Sequence, residues 1–304
     1  MRSTSDRSGD RVLPAVALRL VAVALFALMN VGIKLAETRG AALAEIMFWR
    51  QLPAAGLVAV LAAAGPGLGS LRTRRFGGQV LRASLGTVAM SLTFTALTLL
   101  PLAEATTIGF SMPIFATIMG ALVLHEPTGW RRWAAVLTGF GGVLIVMQPS
   151  GGHMPLAGAL IGLAAAFMTA SVSILLRSLS ASERPLTTVF WFSTLSLVPL
   201  GGFYAFAAQA HPAGVWAILI GVGLLGGLGQ LAMTGSLSLG PVSLVVPMDY
   251  SMLLWATLLG WLAFDRLPAA ATWTGAPVIV GSGLYIIWRE HVRRRTETVQ
   301  AVPE

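Results

Sequence analysis

The feature that most narrows the folds open to this chain is an apolar run that keeps restarting. Ten runs follow one another, at about 13–35, 42–64, 78–99, 102–124, 131–148, 155–176, 186–207, 213–235, 241–263 and 270–289. Each is near the ~20 residues that a helix needs to cross about 30 Å of hydrocarbon. Within that layer the backbone finds no water, so each run must satisfy its own N–H and C=O groups, which a helix does. The runs are continuous rather than alternating, which argues against a transmembrane β-barrel. Only 11% of the 304 residues are charged, against about 25% in a water-soluble domain. With mean hydropathy at +0.79, the chain cannot cover itself in water. The expected fold is an all-α membrane protein with ten transmembrane helices.

Glycine and proline clusters such as Gly65-Pro66-Gly67, Gln148-Pro149-Ser150-Gly151-Gly152 and Gly240-Pro241 separate the runs. The loops are short, so successive helices must be antiparallel. With the N-terminus in the cytoplasm, fifteen of the 20 Lys and Arg residues fall on the inner side, Arg72, Arg74, Arg75, Arg82, Arg131, Arg132 and Arg184 among them. Lys34, Arg39 and Arg266 fall outside, while Arg19 and Arg50 lie within spans. This bias favours both termini inside. It also explains the net charge of +8 as topology rather than as a nucleic-acid surface. No cysteine is present, so disulfide and thiol chemistry drop out. The run after Arg11 is longer than the roughly 7–15 residues of a signal-peptide core and reads as a retained first span.

Phe110–Gly120, FSMPIFATIMG, returns 140 residues later as Tyr250–Gly260, YSMLLWATLLG. The same offset carries Gly86 to Gly226, Pro101 to Pro241 and Trp133 to Trp273. A fixed-period self-similarity is a fold-level signal. It divides the chain into an N-terminal tail (1–12), a first repeat (13–150), a second repeat (151–289) and a basic C-terminal tail (290–304). Five spans per copy is an odd number, so the second copy enters the membrane from the opposite side. Two inverted five-helix repeats are a common plan for a secondary transporter, with substrate held near mid-membrane between the halves.

The ten spans, the duplication, Phe48-Trp49-Arg50 early in span two, Glu126 at the end of span four and the glycine-rich fifth and tenth spans resemble the drug/metabolite transporter (DMT) superfamily, EamA-like branch. The stretches Pro101–Val146 and Pro247–Glu290 are especially similar, and the resemblance covers about residues 12–290. It implies a carrier of small metabolites in the bacterial inner membrane, as members handle amino acids, riboflavin, S-adenosylmethionine or metallophores. The habit of the family leans towards export of an amino-acid-like compound; uptake of a vitamin or cofactor and export of a metallophore are the alternatives. The second copy departs from the first where Arg50 is replaced by Phe192, so the halves are not chemically equivalent.

A charge inside hydrocarbon costs about 2.5–3.5 kcal/mol on insertion scales, so each needs a partner or a watery cavity. Arg50 lies about 12 Å from the outer face at roughly 1.5 Å per residue. It suits either an anionic substrate group or a structural pair with Glu104 or Glu45. Asp249 lies at a comparable depth from the inner face. It suits a cationic group or a coupling proton, or else a salt bridge with Arg19. Glu104 is the second candidate for ion coupling, though its place near a span end fits an interface residue. Pro247 should loosen the helix beside Asp249. Gln230, Asn30, Tyr250, Phe110, Met112, Trp49 and Trp191 could shape a pocket or merely pack. Glycines in the fifth, eighth and tenth spans suit close helix packing, a homodimer interface or, in the eighth, bending.

His125, His153, His211 and His291 lack metal-ligand spacing, and no nucleotide-binding or hydrolase motif is evident. The chain is therefore not expected to be an enzyme, and no cofactor or metal is expected. Its expected partners are a small-molecule substrate and the lipid bilayer, with no nucleic acid.

Overall fold

A computed structural model describes residues 12–122, 130–147, 155–180, 182–239 and 246–300. All secondary structure among them is helical. The helices are α1 (Val12–Thr38), α2 (Leu43–Ala64), α3 (Phe76–Leu99), α4 (Leu102–Gly109), α5 (Met112–Leu122), α6 (Trp130–Met147), α7 (Leu156–Ser180), α8 (Pro185–Ala207), α9 (Ala213–Leu239), α10 (Ser251–Phe264) and α11 (Ala270–Gln300). Short 3₁₀ turns cover Leu68–Leu71 and Val246–Tyr250. These elements fall on the ten expected intervals, with the fourth divided between α4 and α5. Among the described residues, seven stretches are long and apolar enough to cross a membrane, and two shorter apolar helices, Trp133–Val146 and Met248–Phe264, accompany them. Large apolar side chains point outward along them, Phe206 at 95% exposure, which suits a lipid surround and not water. Glu126 lies outside the described residues.

Among the described residues, two of the ten intervals depart from a continuous α-helix. Between α4 and α5, the Phe110 N–H is shared by the carbonyls of Thr106 and Thr107, each at 3.2 Å, and the Ser111 N–H reaches Ile108 at 3.0 Å. Pro113 in the first turn of α5 has no N–H to continue the α pattern. In the second copy Pro247 sits in the 3₁₀ turn ahead of α10, and the Ser251 hydroxyl donates to the Met248 carbonyl at 2.7 Å. The two breaks meet. The rings of Phe110 and Tyr250 pack edge to face with centroids 5.0 Å apart.

Helix α1 packs along α9, and α3 along α7. Helix α2 lies against α8 and α9, α6 against α11, and α4 against α10. The closest approaches use glycine. A Cβ on Gly223 of α9 would stand 2.4 Å from the Trp49 carbonyl oxygen, and one on Gly275 of α11 would stand 2.7 Å from that of Gly142. Packing is thus the role the structure gives these two glycine faces.

Hydrogen bonds fix the direction of several helices. At one end, the Glu45 carboxylate in the first turn of α2 accepts from the backbone N–H groups of Ala42 (2.8 Å) and Gln209 (2.9 Å) and contacts His211 at 3.1 Å. At the other end, Glu183 ahead of α8 accepts from the Thr73 hydroxyl (2.8 Å) and the Arg74 N–H (2.9 Å), in the link from α2 to α3. Helices α2 and α8 are therefore antiparallel. Glu104 in the first turn of α4 accepts from the Ala269 N–H at 3.0 Å, beyond the C-terminus of α10, so α4 and α10 are antiparallel too. Lys34 donates to the Leu97 and Leu100 carbonyls at 2.9 Å, closing the C-terminal end of α3.

Candidate functional site

A cavity of about 290 Å³ lies where the two breaks meet, at the low end of the roughly 300–1,000 Å³ usual for ligand pockets. Helices α1, α3, α4, α5, α7 and α9, the first turn of α10 and the 3₁₀ turn before it enclose it. Most of the wall is apolar, with Phe26, Phe110, Met112, Met233, Tyr250 and Met252 supplying its larger side chains.

One charged pair stands in that wall. Arg19 of α1 donates from Nε to Oδ1 of Asp249 at 2.6 Å and from Nη2 to Oδ2, a two-point contact that fixes both planes. The arginine side chain is buried, whereas the Asp249 side chain keeps 34% of its surface. Of the two sequence readings of Asp249, the salt bridge is present, and the carboxylate stays open to the cavity at the same time. Arg19 Nη1 and the Tyr250 hydroxyl are buried and have no partner among the described residues. Both belong to cavity-lining side chains.

Six residues singled out in the sequence meet in this wall: Arg19, Asn30, Phe110, Met112, Asp249 and Tyr250. Sequence reasoning passed over Thr93, Thr106 and Thr169. Each donates its hydroxyl proton to the carbonyl four residues back, at 2.7–2.8 Å. The proton being committed, the oxygen lone pairs are left as acceptors towards the cavity. Only their place on apolar spans could have drawn attention to them.

The remaining candidates lie elsewhere. Trp49 packs on Trp216 with ring centroids 5.2 Å apart, turned towards α9. Trp191 donates from Nε1 to the Leu71 carbonyl at 2.8 Å, tying α8 to the turn beyond α2. Gln230 is buried on α9 outside the cavity wall. Glu104 and Glu45 are the anchors described above, so neither pairs with Arg50 as the sequence suggested. Arg50 instead donates from Nη1 to its neighbour Gln51 at 2.7 Å. It is also turned over the ring of Phe192, its counterpart in the second copy, at 5.5 Å. Arg82, counted in the sequence among inner-side charges, is buried on α3 and stacks on the same ring at 4.2 Å. Among the described residues no three His, Cys, Asp or Glu side chains group as metal ligands.

Comparison with known proteins gives this geometry its setting. A solved crystal structure matches with a TM-score of 0.59 at 21% identity, covering 92% of this chain and 98% of the other, which shows a shared fold. The chain is 35% identical over 231 residues to a riboflavin transporter of Vibrio cholerae, covering 75% of this chain and 77% of that protein. It is 28% identical to the pseudopaline exporter CntI of Pseudomonas aeruginosa, covering 89% and 95%. It is 25% identical to an S-adenosylmethionine uptake transporter of Rickettsia bellii, covering 74% and 77%. A single family model matches twice, over residues 13–148 and again over 156–288, and by that match the chain belongs to the EamA-like transporter family.

Proposed function

We propose that this protein is a secondary transporter of the bacterial inner membrane, and that it moves a small, flat, polar heteroaromatic metabolite of the riboflavin kind through the Arg19–Asp249 cavity. The observation that carries this reading is the cavity itself. It sits where the break between α4 and α5 touches the 3₁₀ turn that leads into α10, with one guanidinium, one carboxylate and one phenol in an otherwise apolar and aromatic wall. Aromatic and thioether side chains suit the faces of a planar ring system. The donors and acceptors around Tyr250, Asn30 and the three threonines suit its polar edges. Riboflavin transporters among the relatives support the same substrate class.

Alternating access between two inverted five-helix halves (13–150 and 151–289) is the mechanism we infer. The repeated family match supports the duplication, and the antiparallel runs of α2 with α8 and of α4 with α10 support the inversion. The helix pairs α1–α9 and α3–α7 exchange with one another when the halves are exchanged. Two nearly equivalent halves can trade conformations at small cost, so each end can open in turn. Glu45 and Glu183 tie α2 and α8 together at opposite ends, and a movement that parted these helices at one end would release one of these contacts. Asp249 is the group we assign to coupling, because a substrate cation or a proton there competes with Arg19. Glu104 serves as an anchor. Both termini face the cytoplasm in this scheme, following the positive-inside bias.

One observation favours a second reading. A paired guanidinium and carboxylate match the two charges of a zwitterion, as in the export of an amino-acid-like compound, and the pseudopaline exporter is a relative. Counterflow in proteoliposomes separates the two. Labelled riboflavin should accumulate against internal unlabelled riboflavin and saturate, with amino acids failing to compete. Saturable counterflow of amino acids without any of riboflavin would replace the first reading by the second. Unsaturable flux would indicate a channel.

A further inference from the structure

Helices α2, α3, α8 and α9 enclose a second polar cluster that the cavity does not use. Arg50 and Arg82 approach one ring, Phe192, with Cζ atoms 5.5 and 4.2 Å from its centroid. Both are buried, at 5% and 4% exposure. No carboxylate meets either of them among the described residues. The four helices carry a single acid, Glu45, and it is committed to Ala42, Gln209 and His211. Arg50 Nε and Arg82 Nε and Nη1 have no hydrogen-bond partner among the described residues. Neutral groups on the same helices are also left without partners among the described residues: the Gln51 Nε2 donor, both the Nε2 donor and the Oε1 acceptor of Gln79, and the Ser193 hydroxyl are all buried. Gly86 makes the arrangement possible. A Cβ there would stand 2.1 Å from Arg82 Nη1, so only glycine lets that guanidinium fold back along α3.

We propose that Arg50 and Arg82 form a binding site for one small inorganic oxyanion, held inside the protein and separate from the Arg19–Asp249 cavity. Two guanidiniums of like charge, buried against one ring in a layer of low dielectric, repel each other and lack, among the described residues, the counter-charge that makes a buried cation tolerable. Phe192 supplies a weak attraction to both and nothing for their N–H groups. An oxyanion answers each deficit together, because its several oxygens accept from planar N–H forks and its charge offsets both cations. The site is independent of the substrate assigned to the cavity. Failure of riboflavin counterflow would leave it untouched.

Thermal unfolding of the purified full-length protein in detergent, followed by tryptophan fluorescence, tests the proposal. Sodium phosphate and sodium chloride are titrated at matched ionic strength. The expected result is a saturable rise in Tm of about 2–4 °C with phosphate alone, the shift that roughly 1 kcal/mol produces in a chain of this size class. In Arg82→Gln the rise should vanish. A Tm that follows ionic strength alone, an equal response to chloride, or a full phosphate response in Arg82→Gln would each overturn the assignment. Should Arg82→Gln fail to fold, equilibrium dialysis of labelled phosphate against the wild-type protein decides. One saturable site per chain supports the proposal, and its absence refutes it.

Discussion

Arg19 and Arg82 are both guanidiniums buried within the span region, and the protein holds them in opposite ways. Arg19 has a carboxylate in two-point contact and stands in the wall of a cavity. Arg82 has an aromatic ring, a second arginine against the same ring and, among the described residues, no acid. The difference teaches that burial alone does not mark a transport site. A charge that is paired yet open on one side can exchange its partner for a ligand. A charge enclosed without a counter-ion needs one supplied for stability. The two regions should therefore respond in opposite directions when a charge is removed.

The largest effect is expected from Asp249→Asn, which leaves Arg19 buried without its counter-charge. Breaking such a pair costs about 3–5 kcal/mol. Thermal unfolding in detergent should show a large fall in Tm, and counterflow should drop by roughly two orders of magnitude or more. The double change Arg19→Met with Asp249→Leu removes both charges and should recover most of the stability while transport stays lost. Recovery of transport in the double variant would mean that the pair is structural and plays no part in the cargo's path.

Phe192→Leu comes next, because it withdraws the ring that both guanidiniums approach. A desolvated cation–π contact is worth about 2 kcal/mol, and the smaller side chain adds a cavity cost. A loss of about 2–3 kcal/mol is expected. Phe26→Leu in the cavity wall removes no such contact and should lose less, while altering KM for substrate. Equal losses at the two positions would show that Phe192 acts by its volume alone.

Hydropathy and the repeat made the span plan legible before any coordinates, because depth along a helix is a one-dimensional property of sequence. The meeting of Phe110 with Tyr250 follows from the same register, since positions related by the offset face each other where the breaks meet. Rotation about each helix axis was not legible. Trp49 and Asn30 both read as pocket residues, yet Trp49 turns towards α9 and Asn30 towards the cavity. Arg82 looked like a loop-side charge because charges near span ends usually reach water. Only the packing of α3 against α8, with Gly86 giving room, encloses it. Glu45 and Glu104 were matched to Arg50 by depth. The structure commits both to backbone N–H groups, a demand that composition does not reveal.

Arg82→Met sharpens the comparison further. Without phosphate, this change removes an unpaired buried cation and should leave stability within about 1 kcal/mol of wild type, or raise it, as replacement of buried ionic groups by apolar ones often does. Arg19→Met strands Asp249 and should be clearly destabilising under the same conditions. Unfolding of both variants side by side in chloride buffer gives the contrast. A loss for Arg82→Met as large as that for Arg19→Met would mean that Arg82 is satisfied by groups of the protein itself.

The smallest effect is expected from Tyr250→Phe. The phenol oxygen is buried and has no partner among the described residues, so its removal strands no donor or acceptor, and an unmade hydrogen bond contributes nothing that could be lost. Stability should change by less than about 0.5 kcal/mol, the range of substitutions that disturb no packed or bonded feature. The ring itself, packed on Phe110, is retained. If the hydroxyl meets the substrate, the cost should appear instead in transport, as a rise in KM of roughly five- to tenfold, the equivalent of one hydrogen bond of about 1 kcal/mol. An unchanged KM with an unchanged Tm would place the substrate's polar edge elsewhere in the cavity, at the threonine oxygens or at Asn30. Tyr250 would then act only through its ring.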